Sequence, residues 1–171
     1  MNSSTSGQPE DLGALTLRIT QFLYHEAWLL DSGQLQAWVE LFSDDGMYWI
    51  PSSPTQTDRL NQVSIVLEDK ALLQVRMQRL CHEDAHAVTP MPATVHTVSN
   101  VNLLDGRSDS EFGYVVRSVV TMHEQRGDIA RTLSAYATHT LLSNDDEFKI
   151  AQKRVDLIQC GTAFAPISVL L

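Results

Sequence analysis

Cysteine is scarce in this sequence, and its scarcity excludes several classes of protein. Only Cys81 and Cys160 occur among the 171 residues, too few for the disulfide framework of a small secreted scaffold. We also expect no iron–sulfur cluster, because such a cluster normally needs four protein ligands, at least two of them cysteines. We expect Cys81 and Cys160 to be buried as small apolar side chains.

Positive charge and long apolar runs are also lacking. Twelve Lys and Arg against 21 Asp and Glu give a net charge of −9 (12 − 21) without a basic cluster, which argues against nucleic acid or an anionic membrane as partner. No apolar run is long enough for a membrane span, and no secretory signal opens the chain. We expect a cytoplasmic protein with a disordered tail over residues 1–11 and a single domain over residues 12–171.

The first half of the chain has the pattern of helices. Apolar residues recur at spacings of three and four from Leu12 onwards, which predicts an amphipathic helix that ends at the Asp31–Gly33 turn. Two further helices are predicted before residue 81, at residues 35–42 and 68–80. Between them a turn is predicted at residues 43–46 and a short strand at residues 47–50.

The second half is rich in Val, Thr, Ile, Tyr and Phe, and polar turns divide it. Four long strands are predicted at Thr94–Leu104, Glu111–Glu124, Ala130–Ser143 and Glu147–Gln159. Helices followed by consecutive strands indicate an α+β fold, in which a curved antiparallel sheet wraps the N-terminal helices.

Two motifs suggest chemistry within the chain. His82-Glu83-Asp84-Ala85-His86 spells H-E-x-x-H, the pattern of a zinc hydrolase, but prolines follow within a turn and no third ligand stands at a familiar spacing. Alternatively, Tyr24, Asp31 and Asp45 are the acid–base groups of a stand-alone isomerase or dehydratase with a cone-shaped fold. A nucleophile elbow and a glycine-rich phosphate loop are both absent.

Aromatic residues concentrate in the first third of the chain. Core packing and a subunit interface both account for such a cluster, since aromatics are enriched in each. The sequence leaves the choice open for Tyr24, Trp28, Trp38, Tyr48 and Trp49.

Six ordered segments together resemble a known family. They are residues 22–31 (FLYHEAWLLD), 38–42 (WVELF), 44–51 (DDGMYWIP), 76–80 (RMQRL), 96–101 (HTVSNV) and 148–158 (FKIAQKRVDLI). In this order they are similar to the small (β) subunit of aromatic-ring-hydroxylating, Rieske-type dioxygenases, and the helix–loop pattern resembles the benzoate and anthranilate branch.

The resemblance implies a cone-shaped α+β fold like that of nuclear transport factor 2. It also implies a hetero-oligomer with a catalytic α subunit, an α3β3 hexamer with additional β–β contacts. In such enzymes the α subunit holds a Rieske (2Fe–2S) cluster and a mononuclear Fe(II), and a reductase delivers electrons from NAD(P)H. This chain lacks the paired C-x-H and C-x-x-H motifs of a Rieske centre, so we expect no cofactor, metal or catalytic centre in it.

The expected role is therefore structural support of α subunits that add both atoms of O₂ to an aromatic ring in the catabolism of aromatic compounds. The resemblance to the benzoate and anthranilate branch implies an aromatic carboxylate as the substrate. Five residues within the matching segments are expected at the partner interface: Trp49, Arg76, Arg79, His96 and Asn100.

Overall fold

The computed structural model describes residues 11–81, 92–105, 113–144, 147–160 and 170–171. They form α1 (Leu12–Asp31), α2 (Leu35–Glu40), β1 (Phe42–Pro51), β2 (Ser64–Asp69), α3 (Lys70–Cys81), β3 (Ala93–Asp105), β4 (Tyr114–Arg126), β5 (Ile129–Asn144) and β6 (Glu147–Leu157). Helices precede most of the strands, as the sequence predicts. Among the described residues, no helix is both long and apolar enough to cross a membrane.

The first helix begins and ends where local chemistry directs it. The Asp11 side chain accepts a hydrogen bond from the Gly13 backbone N–H at 3.1 Å and so caps α1. Gly33, with φ of +69°, follows the last turn and ends the helix. Residues 1–10 lie outside the described residues.

The sheet has six strands in the order β2-β1-β6-β5-β4-β3. Neighbouring strands are antiparallel, as predicted, except that β1 and β6 run parallel, with Trp49 opposite Arg154. The first strand thus pairs with the last one, and a prediction based on short turns between consecutive strands does not foresee this pairing.

The boundaries of the early elements differ from those predicted. The turn expected at residues 43–46 lies inside β1 as an irregularity, because the register with β6 shifts between Phe42 and Met47. The short strand β2 was not predicted, since Ser64–Asp69 shows little alternation, and α3 begins two residues after the predicted Glu68.

One face of the sheet, called the inner face here, packs against the helices. Buried side chains from the three helices and from every strand except β3 form a single core cluster, against which partly buried residues of β3 pack. Within it, Trp38 meets the Phe42 and Tyr48 rings edge to face at 5.0 and 5.6 Å. The opposite, outer face is not covered by any of the described helices, and its residues on β4, β5 and β6 are partly or fully exposed.

Candidate functional site

A buried polar cluster lies inside the cone, centred on the carboxylate of Glu26. Its Oε1 accepts from Lys153 Nζ at 2.7 Å and from Trp38 Nε1 at 3.2 Å, and its Oε2 faces His139 Nε2 at 3.0 Å. Glu26, Lys153 and His139 are each at most 3% exposed. Four elements, α1, α2, β5 and β6, each contribute one of these side chains, so the cluster ties helices to sheet.

Electrostatics favours the ionised form of Glu26. Burial by itself raises the pKa of Glu26, but the charges of Lys153 and His139 and their hydrogen bonds outweigh it and hold the pKa well below its ordinary value of 4.5. Two atoms beside the cluster, Ser118 Oγ and His139 Nδ1, have no hydrogen-bond partner among the described residues. Both residues line a cavity of about 10 Å³, room for one water molecule.

A second polar group lies at the end of α1. Asp31 Oδ1 is 2.6 Å from His96 Nδ1, Asp31 Oδ2 accepts from the His96 backbone N–H at 2.8 Å, and Thr94 Oγ1 donates to the same carboxylate at 3.1 Å. The other ring nitrogen of His96 is 3.0 Å from the Leu170 carbonyl oxygen. A cavity of about 320 Å³ adjoins this pair, and its apolar wall includes Leu30, Leu35, Leu80, Pro92 and Leu170.

The structure does not bring together the three acid–base groups of the alternative hypothesis. Tyr24 is 47% exposed on the solvent side of α1, two turns before Asp31. Asp45 is exposed in the irregular part of β1. Of the three, only Asp31 lines the larger cavity, where its carboxylate is already bonded to His96 and Thr94.

Metal binding is a question for the H-E-x-x-H segment and for the chain as a whole. His82, Glu83 and His86 lie outside the described residues, so the H-E-x-x-H segment has no structural account here. Within the described ranges, no three His, Cys, Asp or Glu side chains form a group that could hold a metal ion. Cys160 is buried and free, as expected of a small apolar side chain.

The predicted interface residues occupy contrasting environments. Arg79 and Asn100 are exposed, and Asn100 has a positive φ of 50°. Arg76 is partly exposed and pairs with Glu68 at 3.2 Å. The side chains of Trp49 and His96 are buried within the subunit, where Trp49 Nε1 donates to Ser64 Oγ at 2.9 Å.

The aromatic residues of the first third divide between core and surface. Trp38 and Tyr48 belong to the core, and Trp49, 4% exposed, lies on the outer face of the sheet beneath Arg154. Tyr24 and Trp28 are 47% and 55% exposed. Tyr24 and Trp28 lie four residues apart on α1 and therefore share one face of the helix. These two remain available for contact with a partner protein.

The outer face of the sheet carries two arginine–aromatic pairs, of which only Trp49 is singled out by the sequence. Arg117 stacks on the Tyr136 ring with its Cζ 4.5 Å from the ring centroid, and Arg154 stacks on Trp49 at 4.4 Å. Each stack joins two different strands, so only the strand register, and no local spacing, could have revealed it.

Comparison with known proteins identifies relatives along most of the chain. The family described as ring hydroxylating beta subunit matches residues 25–162. The small oxygenase component of the p-cumate 2,3-dioxygenase system of Pseudomonas putida is 31% identical over 150 residues, covering 85% of this chain and 81% of that protein. The anthranilate 1,2-dioxygenase small subunit of Acinetobacter baylyi is 27% identical over 152 residues, covering 84% and 90%.

A solved structure shows the same fold. The β subunit of benzoate 1,2-dioxygenase from Burkholderia mallei superposes with a TM-score of 0.70 at 24% identity, covering 88% of this chain and 93% of that one. This agrees with the cone-shaped fold, similar to nuclear transport factor 2, that the resemblance implied. Since the family match extends over residues 25–162 and the p-cumate relative is similar along most of its length, the chain belongs to the β, or small, subunits of aromatic-ring-hydroxylating dioxygenases.

Proposed function

We propose that this chain is a non-catalytic subunit whose task is to assemble and support a catalytic α subunit. Beyond family membership, the proposal is carried by one observation, namely that the acid–base groups inside the cone are paired with one another. The acid–base groups there, Glu26 with Lys153 and Asp31 with His96, are bonded to one another rather than left free for a substrate. A support role uses such pairs as internal cross-links between elements.

The chemistry of the complex then belongs to the α subunit. That subunit would hold the Rieske cluster and the mononuclear iron, and a reductase would deliver electrons from NAD(P)H for the addition of O₂ to the ring. The need for NAD(P)H supports a cytoplasmic location.

Aromatic carboxylates are the proposed substrate class of the complex. The two relatives named above belong to systems that act on p-cumate and anthranilate, which are both aromatic carboxylate anions. Because the substrate would bind the α subunit, this chain contributes to specificity only through its effect on that subunit.

An α3β3 hexamer is the proposed assembly, with Arg79 and Asn100 as direct contacts since both are exposed. Arg76, Trp49 and His96 would hold the neighbouring surface in place from below. Their internal partners, respectively Glu68, Ser64 and Asp31, support this positioning role.

Co-expression with the cognate α subunit tests the proposal. We expect a complex with equal numbers of the two chains, sedimenting as a hexamer, and ring hydroxylation of an aromatic carboxylate only when the α subunit is present. The Asp31→Asn variant should retain the turnover of the assembled enzyme. Turnover of an aromatic substrate by this chain alone, or failure of the two chains to associate, would contradict the proposal.

A further inference from the structure

The outer face of the sheet presents two guanidinium–aromatic stacks in one connected patch. Strand register places Arg117 opposite Thr138, Thr138 opposite Arg154, and Arg154 opposite Trp49, so these four residues form a row across β4, β5, β6 and β1. Tyr136 lies two residues from Thr138 on the same face of β5. We call these five residues the sheet-face patch.

The two stacks differ in whether the guanidinium N–H groups are bonded to a carboxylate. Arg154, stacked on Trp49, donates from Nε and Nη2 to both oxygens of Asp156 at 2.7–3.0 Å. Arg117, stacked on Tyr136 in the same manner, is exposed, and no described residue accepts a hydrogen bond from its guanidinium group. Arg154 thus shows a carboxylate bound at the place that is open on Arg117.

Stacking prepares Arg117 for such a ligand. An arginine held over an aromatic ring has less rotamer freedom to lose on binding, and its N–H groups match a carboxylate in two parallel hydrogen bonds. Arginine, tyrosine and tryptophan are also the residues that dominate binding energy at protein interfaces.

We propose that the Arg117–Tyr136 stack anchors an aspartate or glutamate side chain of the α subunit. The inference rests on the proposed function and adds to it the surface and the chemistry of the contact. A single ion pair exposed to water contributes little, so the carboxylate must arrive on a protein segment that covers the patch and excludes water from it. Tyr136, 45% exposed, provides the apolar contact beside the charge.

Two patches of this kind do not fit each other face to face. Two copies that met face to face would place Arg117 and Arg154 near the same arginines of the other copy, and repulsion between like charges opposes that pairing. Such a contact would also relate the copies by a twofold axis, whereas the proposed α3β3 hexamer would relate its β subunits by a threefold axis.

Binding of variants to the cognate α subunit tests the proposal. The affinity of the unaltered chain, of Arg117→Gln, of Arg117→Lys and of Tyr136→Ala would be measured at 50 and 300 mM NaCl in the full complex. We expect Arg117→Gln to weaken binding about tenfold or more and to reduce its salt dependence, with Arg117→Lys intermediate because it keeps the charge and loses the paired geometry. Lys149→Gln, which removes a positive charge away from the patch, is the matched control and should bind within about twofold of the unaltered chain.

The outcomes separate the two proposals. Equal affinities for Arg117→Gln and Lys149→Gln in an otherwise intact complex would overturn the patch and leave the proposed function standing. A change of oligomeric state in the isolated chain on Arg117→Gln would also overturn it, because the patch would then join copies of this chain. If the unaltered chain bound no α subunit at all, both proposals would fail. Circular dichroism and urea unfolding would establish that each substitution leaves the fold intact, including Lys149→Gln, which removes a hydrogen bond to the Glu40 carbonyl oxygen.

Discussion

Glu26 connects parts of the molecule that are far apart in sequence. Its carboxylate is bonded to Trp38 on α2, His139 on β5 and Lys153 on β6. A carboxylate removed from water is unfavourable unless such partners replace the hydration, and here they also fix the position of α1 against the sheet. The sequence contained a signal for this burial, because Glu26 falls at a core position of the apolar stripe of α1, between Leu23 and Leu30.

The Glu26→Gln variant should lose about 3–5 kcal/mol of the free energy of unfolding, measured in urea at pH 7. The reason is that the Lys153 ammonium group would remain buried without a counter-charge. Glu147→Gln, at an exposed position of β6, is the control and should change the free energy by less than about 0.5 kcal/mol. A loss in Glu26→Gln no larger than in this control would contradict the role given to the cluster.

The pH dependence of stability checks the same variant independently. The pKa of Glu26 is lowered in the folded state, so its contribution is complete above the ordinary value of 4.5 and declines as the pH falls below it. The unaltered protein should therefore lose stability more steeply below pH 4.5 than Glu26→Gln does. Parallel slopes for the two proteins in that range would show that Glu26 is not ionised in the folded state.

At the scale of elements, periodicity predicted those helices and strands whose formation depends on local sequence. The helix from Leu12 and the four long strands of the second half follow from spacings of three to four and from β-branched content. Strand β2 and the parallel pairing of β1 with β6 do not, because they depend on contacts between distant segments. The same is true of the Arg117–Tyr136 stack, whose two residues come together only once the register of β4 and β5 is fixed.

Gly46 determines the shape of β1, and its substitution tests the irregularity there. A Cβ atom at Gly46 would lie 2.8 Å from the Ile150 carbonyl oxygen on β6 and 2.8 Å from Phe42 Cβ, so Gly46→Ala must push the two strands apart. We expect a loss of about 1–3 kcal/mol in urea unfolding. Gly13→Ala is the control, because its Cβ would meet only the Asp11 carboxylate at 3.6 Å and alanine favours the helix. The free energy of unfolding should therefore fall in Gly46→Ala and rise slightly in Gly13→Ala. An unchanged free energy in Gly46→Ala would mean that β1 and β6 are not in close contact at this point.

The whole molecule combines a self-contained interior with an incomplete outer surface. The described charged groups of its interior are paired with one another, whereas the outer face of the sheet leaves Arg117 and Tyr136 to the solvent in a protein of net charge −9. An interior of this kind gives rigidity without a partner, and an exposed patch of arginine and aromatic side chains gains from one. The two features together are those of a supporting subunit.

Association should therefore raise the thermal stability of this chain by mass action. A partner that binds only the folded state adds about 2.7 kcal/mol when its concentration is 100 times the dissociation constant. For a chain of 171 residues this corresponds to a rise of about 5–10 °C in the unfolding midpoint. Thermal unfolding of the chain, labelled with a fluorophore, would be followed while the α subunit is titrated, with serum albumin at equal mass as the crowding control. The midpoint should rise with the logarithm of α-subunit concentration and should not respond to albumin. A midpoint independent of the α subunit would contradict assembly as the function of this fold.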